Sequence, residues 1–447
     1  MRLETEDIRT LANRAAHNTP ADQAEAVIIA STNALTRFAD NRIHQNVTET
    51  DAQLTIRAVV GTRVGAASTN RLDDESLARC AAAAADAARH APEDPDFPGL
   101  PKPQPLTIVG RTESITRGFD ADRRATAAAA IIEQSEARGL VAAGTIAITD
   151  YAVAVANSAD VDAAMSADHL RATVLSMGEG GASGWASFVG NDASSFSPSA
   201  FGSRAAGIAE RSADATALEP GSYTVILAPE AVADLLEFVG YLGFGAKSFA
   251  EGSSFLMNAI DTQVMDPRIS IYDDALSPGT VGISFDYEGQ PKRRTPLVEG
   301  GIARGPVTDS YYAATLGREN TGHALPAPNP YGPIPLNLEM CAGDASVDEM
   351  IASVERGIYV TRFHYVNVED PMNLVLTGMT RDGTFLIEDG ALSSPVRNLR
   401  FTQNALEALS HVRAVGSQRQ LIGPGEGGAT LVPALLLEKW AFTGQTG

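Results

Sequence analysis

The segment from Gly221 to Leu256 constrains the fold of this chain more than any other stretch. Tyr223–Leu227 is an apolar run typical of a strand. Pro229 follows where a helix can begin, because a first helical turn does not need the amide hydrogen that proline lacks. Apolar residues then recur at helical spacing and predict one buried helix face: Ala231, Leu235, Phe238 and Leu242. A strand that passes directly into a helix is therefore the central predicted element.

Glu230 and Asp234 are four residues apart and lie on one side of this predicted helix. A helix that follows a strand commonly carries paired ligands in metallohydrolases. Two carboxylates could therefore serve as an acid–base pair or as part of a carboxylate metal site. The alternative is structural, because acidic side chains in a first turn are stabilised by the helix dipole. The segment contains no histidine, and both interpretations stay open.

The length of 447 residues exceeds what one ordinary core accommodates, so two or three domains are expected. After Glu219-Pro220 the sequence becomes richer in glycine and proline, with many short apolar runs separated by turn signals. We place a boundary there, giving residues 1–218 and 219–447. The second part is predicted to be mainly antiparallel β structure, either a barrel or a sandwich.

Residues 1–218 predict an α+β domain made of two blocks with the same element order, helix, antiparallel strands, helix. The predicted helices are Glu6–Ala16, Asp73–His90, Asp120–Arg138 and Ser199–Ala213. The predicted strands are Glu25–Ile29, Ala34–Phe38, Ile43–Glu49, Gln53–Val59, Arg63–Ser68, Val141–Ile148, Tyr151–Asn157, Asp160–Ser166 and Arg171–Met177. The repeated order suggests an internal duplication, although α+β layers can give such an order by chance. Residues 91–105 predict a linker-like loop.

Charge and composition exclude several classes of function. The net charge of −21 argues against a nucleic-acid or anionic-membrane partner, because either would require a basic face. No apolar run is long enough to span a bilayer, and the first residues lack the apolar region of a signal peptide. Cys80 and Cys341 are too few and too far apart for a disulfide framework. A cytoplasmic protein is expected.

Five further side chains are candidate cleft or substrate contacts. Asp286 and Glu288 would share one face of a strand, or they could belong to a turn, since glycine and proline follow. Arg293 and its two basic neighbours could bind a substrate carboxylate, pair with these acids, or be solvated at the surface. The seven histidines include no pair at helical ligand spacing. Among them, His323 and His364 are candidate contacts.

Several stretches of the second half, taken in order and spacing, resemble the TldD/PmbA family, which includes TldE. They are LAPEAVADLLEF (227–238), KSFAEGSSFL (247–256), ISIYDDALSPGTVGISFDYEGQPKRRTPLVEGG (269–301), ENTGHA (319–324), GIYVTRFHYV (357–366), LTGMTRDGTFLIEDG (376–390) and LVPALLLEKWAF (431–442). The stretch APEDPDFPGLP (91–101) extends the resemblance more loosely into the first half. No single stretch is diagnostic, but together they are specific.

The resemblance implies how the 229–234 segment should be interpreted. TldD-type members of the family are metallopeptidases with H-E-x-x-x-H on the matching helix and a metal-ligating cysteine ahead of a later strand. Here Pro229 and Asp234 stand at the histidine positions, Glu230 keeps the glutamate, and Arg381 stands near the cysteine position. Proline cannot ligate, and a guanidinium stays protonated where a cation would bind. The resemblance therefore implies a TldE-type subunit with no metal cofactor of its own.

The same resemblance implies a partner and a substrate. A TldD-like subunit with H-E-x-x-x-H would supply the zinc in a heterodimer, and an unfolded peptide would be cleaved in the cavity that the two subunits enclose. This chain would shape that chamber and have no peptidase activity alone. The alternative is a stand-alone, metal-independent enzyme, a homodimer, in which Glu230, Asp234 and Arg381 form an acid–base site. A purely structural assembly partner is a third interpretation.

Overall fold

The computed structural model describes residues 4–109, 118–278, 280–424 and 428–445. The first half of the chain forms two blocks, each with the order helix, three strands, helix. The first block comprises α1 Thr5–Asn18, β1 Gln23–Ala39, β2 Arg42–Val60, β3 Arg63–Thr69 and α2 Asp74–His90. The second comprises α3 Ala121–Glu136, β4 Val141–Asn157, β5 Asp162–Met177, β6 Ser183–Gly190 and α4 Pro198–Arg211. The predicted repeat of element order is therefore present.

The two blocks join edge to edge into one antiparallel sheet of six strands, in the order β3-β2-β1-β4-β5-β6. Alternate residues of each strand face opposite sides. On one side, Ile28 and Ile146 are buried among α1, α2, α3 and α4. On the other side, Val27 and Val153 pack against Phe285 of the second half of the chain. Both faces of the central strands are therefore covered at these positions, whereas Asn33 in the middle of β1 is exposed.

Four predicted strand pairs are single long strands, which corrects the sequence interpretation. Ser31–Asn33, which separates two predicted strands, pairs in register with β2 on one side and β4 on the other. Asp150 likewise continues β4, opposite Thr32 and Asp168. Polar residues do not interrupt a strand when neighbours on both sides satisfy its backbone. Strand β6 was not predicted, because Gly184 within it resembles part of a glycine-rich bend.

The second half forms a larger sheet of eleven strands with short helices. Its elements are β7 Gly221–Leu227, α5 Pro229–Gly243, α6 Ala246–Ala250, β8 Ile271–Asp273, β9 Thr295–Glu299, β10 Ile302–Ala303, α7 Ser310–Leu316, β11 Leu338–Met340, α8 Val347–Ala352, β12 Arg356–Asp370, β13 Val375–Glu388, β14 Ala391–Pro395, β15 Leu399–Asn404, α9 Ala405–Ser410, β16 Val412–Ile422 and β17 Thr430–Gln445. The six-stranded sheet ends before residue 218 and the larger sheet begins after it. A domain boundary there stays a prediction.

Five strands of the larger sheet close into a ring. The pairings run β7–β12, β12–β13, β13–β15, β15–β17 and β17–β7, and β7–β12 is the parallel pair among them. The mainly antiparallel, barrel-like prediction is confirmed. The central predicted element is also present, since β7 passes into α5 at Pro229. Ala231 and Leu235 of α5 are buried in the same core as Trp440 of β17.

No helix in the described ranges combines the length and the apolar character that crossing a bilayer requires.

Candidate functional site

An open cleft of about 370 Å³ lies between the two halves of the chain. The first half contributes Trp185 of β6 and one face of α4, and the second half contributes the start of α5 and the strand β12. The lining side chains that carry charge or an aromatic ring are Trp185, Arg204, Glu210, Arg211, Glu230, Tyr359 and Arg362. The segment that the sequence singled out therefore meets the N-terminal half at this cleft.

Glu230 is held by side chains from both halves. It is the second residue of α5 and only 6% exposed. Its Oε1 accepts hydrogen bonds from Arg204 Nη2 at 2.8 Å and from Gln420 Nε2 at 3.2 Å. Arg204 Nη1 in turn donates to Gln420 Oε1 at 3.1 Å. The second carboxylate oxygen, Oε2, is buried and has no hydrogen-bond partner within the part of the chain that the structure describes.

Asp234, one turn further along α5, faces the backbone of β12. Its Oδ2 accepts a hydrogen bond from the amide of Phe363 at 3.3 Å. Burial, together with the nearby charges of Glu237 and Glu230, raises the pKa of Asp234 to about 7. Asp234 is not among the residues that line the cleft. Glu230 and Asp234 therefore lie in different surroundings.

Arg362 and Arg381 lie on the paired strands β12 and β13. Arg362 lines the cleft, and Arg381 does not. Arg362 Nε donates to Asp382 Oδ2 at 2.8 Å, and its guanidinium lies 4.3 Å from the ring centroid of Trp185. Asp382 is buried. Arg381 has a side chain that is 45% exposed, with its Nε 3.9 Å from Asp382 Oδ1. The three residues of the predicted acid–base site, Glu230, Asp234 and Arg381, thus have separate contacts.

The donor set at positions 229–234 does not fit a zinc ion. Pro229 offers no donor atom, and Asp234 accepts a backbone hydrogen bond. A guanidinium already occupies Oε1 of Glu230. Zinc takes three or four nitrogen, sulfur or oxygen ligands from the protein. Across the part of the chain that the structure describes, no group of three histidine, cysteine, aspartate or glutamate side chains is arranged to hold a metal.

Asp286 and Glu288 belong to a second polar cluster, away from the cleft. Asp286 Oδ1 accepts from the amides of Glu288 and Gln290 at 2.9 and 2.8 Å, the geometry of a turn. Glu288 Oε1 accepts from Arg57 Nη2 at 2.9 Å, and Arg57 also donates to Glu25 at 2.9 Å. Asp286 therefore lies in a turn and not on a strand face shared with Glu288. Glu288 joins the second half of the chain to β1 and β2.

The remaining candidates are dispersed. His323 is fully buried, with Nε2 3.0 Å from Asp273 Oδ1, and burial lowers its pKa. His364 on β12 is half-buried against the ring of Tyr365. Arg293 is exposed and donates to Gln104 Oε1 at 3.3 Å. None of these three lines the Glu230 cleft.

Sequence reasoning missed several residues that build the two clusters. Glu25 and Arg57 are register partners on β1 and β2, and each interrupts an apolar run. An isolated charge inside an apolar strand was a usable signal. Arg204 and Gln420 had no such local signal. Arg204 reaches Glu230 through the contact between the two halves, and Gln420 reaches it because β16 lies beside α5.

Comparison with known proteins identifies the relatives of this fold. The profile described as the PmbA/TldA metallopeptidase C-terminal domain matches residues 220–444, and that of PmbA/TldA metallopeptidase domain 1 matches residues 24–88. The structure of TldE from Thermococcus kodakarensis superposes with a TM-score of 0.86 at 19% identity, covering 98% of this chain and 99% of that one. A candidate modulator of DNA gyrase from Thermotoga maritima gives a TM-score of 0.85 at 17% identity, covering 98% and 100%. These similarities concern the fold.

Curated relatives match over shorter stretches. A metalloprotease TldD homologue from Haemophilus influenzae is 28% identical over 172 residues, which are 38% of this chain and 35% of the relative. A zinc metalloprotease TldD homologue from Saccharolobus solfataricus is 28% identical over 202 residues, 44% of each chain. The matched region thus spans less than half the length of these relatives.

Proposed function

Because this chain belongs to the PmbA/TldD family, we propose that it is a TldE-type subunit that binds no metal and works with a TldD-like subunit in peptide processing. The partner would supply the zinc and the H-E-x-x-x-H helix. This chain would complete the chamber around that zinc and contact small, unfolded peptides. A cytoplasmic location is part of the proposal and rests on the sequence composition.

The observation that carries the proposal is the occupation of Glu230 by Arg204. In the resemblance drawn from the sequence, Glu230 is the one residue of the metal-site helix that this chain keeps. A permanently charged guanidinium 2.8 Å from its Oε1 satisfies that oxygen and would repel a divalent cation. Pro229 removes one further ligand. This chain keeps the family fold but differs at the positions that would hold the metal. A role beside the metal of another subunit would explain both features.

The proposal is tested by reconstituting the complex. We would purify this chain, an H-E-x-x-x-H paralogue from the same source, and their mixture. Molar mass, zinc content and cleavage of an unfolded peptide would be measured for each sample. We expect a mixed complex with zinc and with cleavage. Replacing the first histidine of the paralogue's motif by alanine should abolish both zinc binding and cleavage.

Two results would contradict the proposal. Stoichiometric zinc or peptide turnover in this chain alone would make it an enzyme in its own right. The lack of any mixed complex, together with a stable homodimer of this chain, would favour the stand-alone alternative.

A further inference from the structure

Glu230 lines the cleft, and one of its carboxylate oxygens is buried with no hydrogen-bond partner among the described residues. Glu230 Oε2 belongs to a side chain that is 7% exposed, and Glu230 lines the cleft. Buried polar atoms are nearly always hydrogen-bonded, because leaving one unsatisfied costs about 1–3 kcal/mol. Arg204 and Gln420 both bind the other oxygen, Oε1. A donor from a ligand in the cleft would satisfy Oε2.

Arg211 also lines the cleft, and its guanidinium has no carboxylate partner within the described ranges. Arg204 is paired with Glu230, and Arg362 is paired with Asp382. Arg211, at the end of α4, donates from Nε to the carbonyl of Gly207 at 3.2 Å and lies 5.4 Å from the ring centroid of Phe385. Among the described residues, no carboxylate lies within ion-pair distance of Arg211. In a chain with a net charge of −21, this guanidinium is available to an anion from outside.

A ligand that fits both features needs an anionic group and an N–H donor close together. An inorganic anion without a proton, such as sulfate, would satisfy Arg211 but would leave Glu230 Oε2 without a donor and would be repelled by it. The end of a peptide has an α-carboxylate next to backbone N–H groups. Trp185 and Tyr359 offer aromatic surface for its side chain, and a volume of about 370 Å³ is within the range of small-ligand pockets.

We propose that this cleft binds the carboxyl-terminal end of a peptide. Arg211 binds the α-carboxylate, and Glu230 Oε2 accepts a hydrogen bond from a backbone N–H of the last residues. The inference deepens the proposed function, and it rests on that function only for the source of the peptide. Hydrolysis of a peptide bond creates a new carboxyl terminus, so such ends arise wherever a peptidase acts.

The test measures binding to the full chain alone. An N-terminally fluorescein-labelled alanine-rich hexapeptide with a free carboxyl terminus is titrated and followed by fluorescence anisotropy. A second titration uses the same peptide with an amidated carboxyl terminus. A third experiment adds free alanine as a competitor. We expect amidation to weaken binding at least tenfold. Arg211→Gln should weaken binding of the free-carboxyl peptide by a similar factor and should leave the amidated peptide unaffected.

Arg318→Gln is the matched control. Arg318 is also exposed, also lies over an aromatic ring, 5.8 Å from the centroid of Phe249, and also has no carboxylate in ion-pair range among the described residues. It should bind the peptide like the wild type. Glu230→Gln, which removes the acceptor charge, should weaken both peptides about equally.

Three outcomes would overturn the inference. They are equal affinity for the free and amidated peptides, unchanged affinity in Arg211→Gln, and no binding at millimolar peptide. Competition by free alanine at the affinity of the peptide would assign the cleft to amino acids and would also reject a peptide site. The binding assay contains this chain without a TldD-like subunit. A negative result would therefore reject the peptide site, and complex formation and zinc-dependent cleavage would still be tested by the reconstitution experiment.

Discussion

Glu230 shows how one residue can be retained while its surroundings change. In an ordinary first helical turn an exposed glutamate is stabilised by the helix dipole alone. Here the side chain is buried and depends on Arg204 from the other half of the chain. The hydrogen bonding of Glu230 therefore depends on where α4 lies relative to the start of α5.

Arg204→Met should lower the free energy of unfolding by about 1–3 kcal/mol. A buried charge that loses its partner costs about 3–5 kcal/mol, and we reduce this because the Arg204 side chain is 41% exposed. The matched control is Arg79→Met, which breaks an ion pair with Glu75. The Arg79 side chain is 58% exposed and the Glu75 side chain 82% exposed. It should change stability by less than about 0.5 kcal/mol. Urea unfolding of both variants measures the difference, and equal effects would contradict the argument.

At the scale of elements, the close contact between β6 and α4 positions Arg204 and Trp185 at the cleft. Gly184 permits that contact. A Cβ placed there would lie 2.1 Å from the carbonyl oxygen of Ala205 and 2.4 Å from the amide nitrogen of Ala209. Both are backbone atoms, so the helix would have to move as a unit.

Gly184→Ala should therefore destabilise the protein by about 1–3 kcal/mol, the usual cost of overpacking. Gly207→Ala in α4 is the control, since a Cβ there meets no described atom within 4 Å apart from its chain neighbours and the backbone of its own helix. Replacing a helical glycine by alanine should stabilise by about 0.5–1 kcal/mol. Thermal unfolding of the two variants should give shifts of opposite sign. Two shifts of the same sign would mean that α4 does not lie this close to β6.

For the whole molecule, buried acids set the response to pH. Burial is the main cause that raises the pKa of Glu25, Asp234 and Asp286 to about 7. In the unfolded chain the pKa of each of these acids is close to its ordinary value. The folded state therefore binds more protons than the unfolded chain between about pH 4 and 7. Stability therefore falls as pH rises through that window. The lowered pKa of His323 acts in the opposite sense, but only below its ordinary value of 6.5.

The sign is clearest above pH 6.5, where the opposing contribution of His323 fades as the unfolded chain loses its histidine proton. We expect the unfolding temperature to fall between pH 6.5 and 8. Asp234→Asn should reduce that fall, because an amide can still accept the hydrogen bond from Phe363 but does not ionise. Glu136→Gln, at an exposed position on α3, is the control and should keep the full dependence. A rise in unfolding temperature over this interval would contradict the assignment of these acids.

How the two halves meet could not be predicted from local patterns. Arg204 and Glu230 are joined across this contact, and so are Arg57 and Glu288. Arg204 lies on α4 and Glu230 on α5, whereas Arg57 lies on β2 and Glu288 in a turn of the second half. Asp382 and Arg362 lie within one sheet, and they are neighbours because β12 and β13 pair.

The sequence by itself determined the class of the fold, the strand that becomes a helix at Pro229, the repeated element order and the family. These rest on local periodicity, turn chemistry and the order of motifs, which survive without knowledge of distant contacts. Only the tertiary structure decided that β1, β2, β4 and β5 are continuous, that Glu230 is bound by Arg204, and that Arg362 replaces Arg381 at the cleft. The reason is physical: strand continuity and the partners of a buried charge depend on neighbours brought from elsewhere in the chain.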